Sequence, residues 1–127
     1  MARACYEAAL EVDPELIIMV LAGTAMERAV RDLGCAWAGE IFADRAYNDD
    51  ATLVDRRLPG AMIHDAEIAA PRIVEMVREG AIIAESGWRI PTRIDTICLH
   101  GDGPGAVTLA RALRDRLERE GFRLRSL

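Results

Sequence analysis

LIIMVLAGTAMERAVRDLGCAWAGEIFA, residues 16–43, decides the fold. Leu16 to Val20 is an uninterrupted apolar run of strand length, the pattern of a strand covered on both faces. Thr24 and Glu27 then form a T-x-x-E capping box, so a helix begins there. Met26, Val30 and Leu33 share one face of that helix, and Gly34 supplies its stop. Cys35 to Ala43 returns to strand character. Strand, helix and strand within 28 residues make a parallel βαβ unit.

The same alternation continues on both sides. Ala2 to Val12 reads as a helix stopped by Asp13-Pro14. A polar stretch, Asp44 to Arg57, leads to a turn at Leu58-Pro59-Gly60. Asp65 to Glu79 is helical by its Ile73, Val74 and Val77 face, and Pro71 means that it either starts near that residue or is kinked. Ala81–Ala84 and Trp88–Ile90 read as a hairpin around Glu85-Ser86-Gly87. Asp95 to His100 is a third buried strand, and Pro104 to Glu120 a long helix with Val107, Ala110, Leu113 and Leu117 on its apolar face. Phe122 to Arg125 is a candidate last strand. The class is α/β, one domain over residues 1–127.

Composition narrows the chemistry. A 51% hydrophobic, 29% charged chain builds a core rather than remaining disordered. The net charge of −5 argues against a nucleic-acid surface or a polybasic membrane patch, and no apolar run is long enough to span a bilayer. All 16 basic residues are Arg, which excludes lysine Schiff bases, a P-loop lysine and a lysine general base in this chain. Cys5, Cys35 and Cys98 form neither a disulfide framework nor a zinc spacing, and no metal ligand can be assigned. The expected address is the reducing cytoplasm.

Ligands in parallel α/β sheets gather at the carboxyl ends of the strands. Three such ends are visible: Ala22-Gly23-Thr24, Phe42-Ala43-Asp44-Arg45 and His100-Gly101-Asp102. His100 and Asp102 could be an acid–base pair, or Asp102 could cap the next helix while His100 bonds a carbonyl. Glu40 stands inside an apolar strand and needs a partner, for which Arg45 and Arg56 are candidates. Two carboxylates and two arginines around one strand end would equally suit holding a substrate carboxylate or activating water. Tyr47 and Asn48 could add hydrogen bonds. His64, beside the helix cap Asp65, reads as a surface residue. The segment 101–106 matches G-x-G-x-x-A but lacks the later acidic residue of a dinucleotide fingerprint; its glycines read as a strand-to-helix turn that exposes amides to an anion.

Glu40-Ile-Phe-Ala-Asp-Arg-Ala-Tyr47, Leu53-Val54, Arg56, Leu58-Pro-Gly-Ala-Met-Ile63 and Thr96-Ile-Cys-Leu-His-Gly-Asp102 with Pro104 together resemble the LamB/YcsF family, to which the A component of 5-oxoprolinase belongs. The resemblance runs from about Leu16 to the C-terminus. It implies a distorted (β/α) barrel of the glycoside hydrolase/deacetylase type. It also implies a bacterial protein that, with the B and C subunits and ATP, opens the lactam of 5-oxo-L-proline to release L-glutamate. The matching polar positions are Glu40, Asp44, His100 and Asp102, as catalytic candidates, and Arg45, Tyr47 and Arg56, as substrate-binding candidates. Family members open with a D-L-N-C-D-L-G-E-like strand and carry F-H-A-G-D-, H-P-G- and K-P-H-G-A-L-Y-N-like segments, none of which occurs here. Since a (β/α) barrel needs roughly 250 residues, the expectation is the C-terminal half of one, with uncovered edges prone to self-association. The competing expectation is a non-catalytic α/β module that keeps only the scaffold.

Overall fold

The computed structural model describes residues 1–102 and 105–127. Helix α1 (Ala2–Val12) ends as Asp13 turns extended, the conformation that a following proline imposes. Strand β1 (Ile18–Leu21), helix α2 (Ala25–Leu33) and strand β2 (Trp37–Phe42) form the expected parallel unit, with Ile18 opposite Trp37 and Leu21 opposite Glu40. Helix α3 (Ala66–Glu79) leads into a hairpin of β3 (Ala81–Ile83) and β4 (Arg89–Pro91). Strand β5 (Thr96–Cys98) then pairs parallel to β2, with Glu40 opposite Thr96, and helix α4 (Ala106–Arg119) follows. The parallel sheet has the order β1-β2-β5, so β2 is its centre and all three carboxyl ends lie along one rim.

Local chemistry accounts for the element ends. Thr24 caps α2: its Oγ1 accepts from Met26 N–H at 3.2 Å and donates to Leu21 O at 2.7 Å. The reciprocal bond of the capping box is displaced by one residue, because Glu27 accepts from Gly23 N–H at 2.7 Å. The same buried carboxylate takes the Thr92 hydroxyl at 2.7 Å and pairs with Arg31, which pins α2 to the segment after β4. Asp65 caps α3. That helix begins five residues before Pro71 and continues through it, so a start at Pro71 is ruled out. Gly121, at φ +88°, closes α4 in a Schellman motif: its N–H bonds Glu118 O, and Phe122 N–H bonds Leu117 O.

The main core joins Ile41 of β2, Ile82 of β3, Ile73, Val74 and Met76 of α3, and Leu113 and Leu117 of α4. Tyr47 is fully buried with them. At the foot of the parallel sheet Asp95 binds Gly39 through both its backbone N–H and its carboxylate, each at 2.8 Å. A Cβ on Gly39 would lie 2.2 Å from the Arg93 carbonyl oxygen, so the crossing requires glycine.

Four expectations are corrected. β1 is not covered on both faces: it is an edge strand, and Met19 is 48% exposed. β5 is half-buried throughout, because it too stands at an edge of the three-stranded sheet. The buried stripe of α4 is Leu109, Leu113 and Leu117; Val107, about 200° around the helix from Leu109, is 64% exposed and Ala110 is also outside. Phe122 to Arg125 is not a strand, since the Schellman close folds Phe122 back onto the core. Among the described residues no helix is long and apolar enough to cross a membrane.

Candidate functional site

The site begins on β2. Glu40 and Phe42 are two residues apart on that strand and therefore share a face. Beyond Phe42 the chain turns through Ala43, whose N–H bonds Cys98 O at 3.0 Å and so ties the ends of β2 and β5 together. This brings His100, two residues past β5, over Phe42: the rings stack at 5.6 Å with 27° between planes. It also sets His100 Nδ1 2.7 Å from Asp44 Oδ2. Asp44 is only 5% exposed, while the His100 side chain keeps 31% of its surface open. A carboxylate facing Nδ1 suits the arrangement in which Nδ1–H donates to Asp44 and Nε2 faces away from it.

The polar stretch expected over 44–57 is largely a packed clasp. Arg45 and Tyr47 make isolated antiparallel bridges with Met62 and Leu53, and Ile63 N–H returns to Asp44 O at 2.9 Å. The buried Arg45 guanidinium donates to Val54 O at 2.7 Å, and the Tyr47 hydroxyl accepts from Phe42 N–H at 2.8 Å. Arg72 lies over the Tyr47 ring at 5.6 Å. Burial pushes the Tyr47 phenol up to about 12. Arg45 and Tyr47 are thus buried in the clasp and do not line the cavity at Asp44, which is walled by other residues.

That cavity holds about 70 Å³ and is walled by Asp44, Arg56, Met62, His64, His100 and Asp102, with Gly105, Ala106 and Leu109 of the α4 end. Asp44, His100, Asp102 and Arg56 thus line one cavity. His64 is exposed, as its place beside a helix cap implies, but the clasp folds it onto the same wall. The signal for this is Leu58-Pro-Gly60, a turn that reverses the chain toward the strand rim. Asp102 does not cap α4, whose N-cap is Gly105 with no side-chain bond, and His100 bonds Asp44 rather than a carbonyl. Gly103 and Pro104 of the expected turn lie outside the described residues.

Glu40 makes no ion pair with Arg45 or Arg56 among the described residues. Burial raises its carboxyl above the usual range, against the pull of His100. Burial, with Glu40 and Asp44 nearby, likewise raises the Cys98 thiol, so it is no ready nucleophile. Among the described residues no three His, Cys, Asp or Glu side chains converge to hold a metal. A larger depression of about 670 Å³, lined by Ile17, Trp37, Arg93, Asp95 and Arg125, opens at the other end of the strands. It contains none of the Asp44–His100 cluster, and ligands of parallel sheets sit at the carboxyl rim.

The model of the LamB/YcsF family matches residues 1–127. The 5-oxoprolinase A subunit of Ruegeria pomeroyi is 68% identical over 121 residues, 95% of this chain and 48% of the relative. The protein of the same name from Pyrococcus furiosus is 47% identical over 124 residues, 98% of this chain and 49% of that one. The crystal structure of the lactam utilization protein from Thermus thermophilus superposes with a TM-score of 0.85 at 40% identity, over 99% of this chain and 50% of that one. The chain therefore spans about half the length of the curated relatives it matches.

Proposed function

Because this chain belongs to the LamB/YcsF family, we propose that its strand rim takes part in opening the lactam of 5-oxo-L-proline to L-glutamate, as the A component of a 5-oxoprolinase working with the B and C subunits. The observation that carries the reading is the Asp44–His100 pair, a base oriented by a buried carboxylate beside a cavity at the carboxyl rim. Lactam hydrolysis joins a water oxygen to the ring carbonyl carbon, breaks the C–N bond and delivers a proton to the departing nitrogen. His100 Nε2 suits that proton's route: it accepts from water and returns the proton to nitrogen, while Asp44 stabilises the imidazolium. Glu40 and Asp102 set the charge around His100, and Arg56 faces the substrate carboxylate.

In this reading the chain is one partial domain, an arc of a distorted (β/α) barrel of the glycoside hydrolase/deacetylase type, completed by residues like those in the other half of its relatives. In this reading ATP is used by the complex as a whole, and this chain, which has no lysine, brings no P-loop lysine to it.

The test is ATP-dependent glutamate release from 5-oxo-L-proline in the presence of the B and C subunits, with and without an N-terminal half. Release that requires this chain supports the reading. No release in the fully reconstituted mixture sinks it and favours a non-catalytic α/β assembly module, for which the open β1 edge around Ile17 and Met19 already speaks.

A further inference from the structure

One hydrogen bond fixes a direction and leaves a plane free. The 2.7 Å contact of His100 Nδ1 with Asp44 Oδ2 would by itself let the imidazole pivot about that line. The side chain keeps 31% of its surface open, so neighbouring atoms on that side do not stop the pivot. The second restraint is Phe42. Its ring stacks on the imidazole, with centroids 5.6 Å apart and 27° between planes, inside the range in which stacked rings attract. Successive strand residues point to opposite faces. Ile41 is fully buried in the main core, whereas Phe42 is half-buried on the other face, with Glu40, and meets the core only at its margin.

The Phe42 ring stands on an anchored backbone. Phe42 N–H donates to the buried Tyr47 hydroxyl at 2.8 Å, and Ala43 N–H donates to Cys98 O at 3.0 Å. Phe42 is also the register partner of Cys98, two residues before His100. Phenyl ring and imidazole therefore share one frame, the joined ends of β2 and β5. Phe42 does not wall the cavity, whereas His100 and Asp44 do. We infer that Phe42 is a positioning residue: its ring sets the plane of the His100 imidazole, Asp44 sets its direction, and together they aim Nε2 into the cavity. The inference rests on the reading of His100 as the proton carrier in ring opening. It gives the buried Tyr47 hydroxyl an indirect part, since that group holds the backbone beneath the Phe42 ring. Leucine at position 42 keeps an apolar side chain but offers no flat face; tyrosine keeps the face.

The experiment compares Phe42→Leu and Phe42→Tyr by two readouts. In the chain alone, proton NMR follows the His100 Nδ1–H, which a hydrogen bond to a buried carboxylate moves downfield and protects from exchange; His100→Gln identifies the signal by removing it. The signal is expected in the unaltered chain, lost to exchange in Phe42→Leu and kept in Phe42→Tyr. In the complex with the B and C subunits, Phe42→Leu should lower kcat for glutamate release roughly tenfold or more with KM unchanged, and Phe42→Tyr should restore it. Absence of the signal from the unaltered chain, its persistence in Phe42→Leu, or an unchanged kcat in that variant would each overturn the positioning role. Losses in Phe42→Tyr as large as those in Phe42→Leu would overturn it too. Turnover by the unaltered complex together with any of these results would leave the proposed function standing without Phe42. The expected NMR pattern with no turnover by the unaltered complex would do the reverse.

Discussion

Glu40 and Asp44, four residues apart, meet opposite circumstances. Glu40 projects from the central strand without an ion pair among the described residues, and burial raises its carboxyl; Asp44 sits past the strand end, where His100 reaches it. Tyr47, three residues further, is fully buried and accepts from Phe42 N–H. Its phenol, held near 12 by burial, lies above the ordinary value of 10.0, so folding favours the neutral form. That contribution is intact below pH 10 and declines as pH rises through the folded-state value near 12. Tyr47→Phe removes the bond to Phe42 N–H and should cost about 1–2 kcal/mol in urea denaturation, while flattening the alkaline loss of stability. A loss of turnover with stability unchanged would instead place Tyr47 at the substrate. Asp44 and His100 are legible in the sequence because each follows an apolar strand. The burial of Arg45 and Tyr47 is not, because loop polarity says nothing about which side of an extended run faces inward, and two residues apart they fall together on the inner side.

At the scale of elements, the βαβ unit is legible from hydrophobic run length, the Thr24 cap and Gly34, and the hairpin from Glu85-Ser86-Gly87. The face of α4 is not, since Val107 and Ala110 are apolar by type and only packing against α3 chooses Leu109, Leu113 and Leu117. The β2–β5 junction depends on one glycine. Gly39→Ala sets a methyl against the Arg93 carbonyl and should cost about 3 kcal/mol or more. Gly34→Ala, at φ +66° with open space around it, should cost only about 1–2 kcal/mol. Equal losses in thermal or urea unfolding would contradict the close crossing.

The whole molecule carries a well-filled core beneath a sheet whose first edge is open. Ile17 is half exposed and Met19 nearly so, on and just before a strand with unpaired backbone on its outer side. Such an edge recruits another chain. Sedimentation at micromolar concentration should therefore give a mass that rises with concentration, and a monodisperse monomer would contradict this. The composition, at 51% hydrophobic, makes a core legible but cannot say which strands are left as edges, because that depends on neighbours outside one strand's own pattern.

The central claim is that His100, oriented by Asp44, moves the proton in lactam opening. Its most direct test is glutamate release from 5-oxo-L-proline by the reconstituted complex carrying His100→Gln. The side chain is partly open and the replacement keeps a polar group, so folding should be preserved. Turnover is predicted to fall by about 10²-fold or more with an unchanged unfolding transition. Turnover within a few-fold of the unaltered chain would contradict the account.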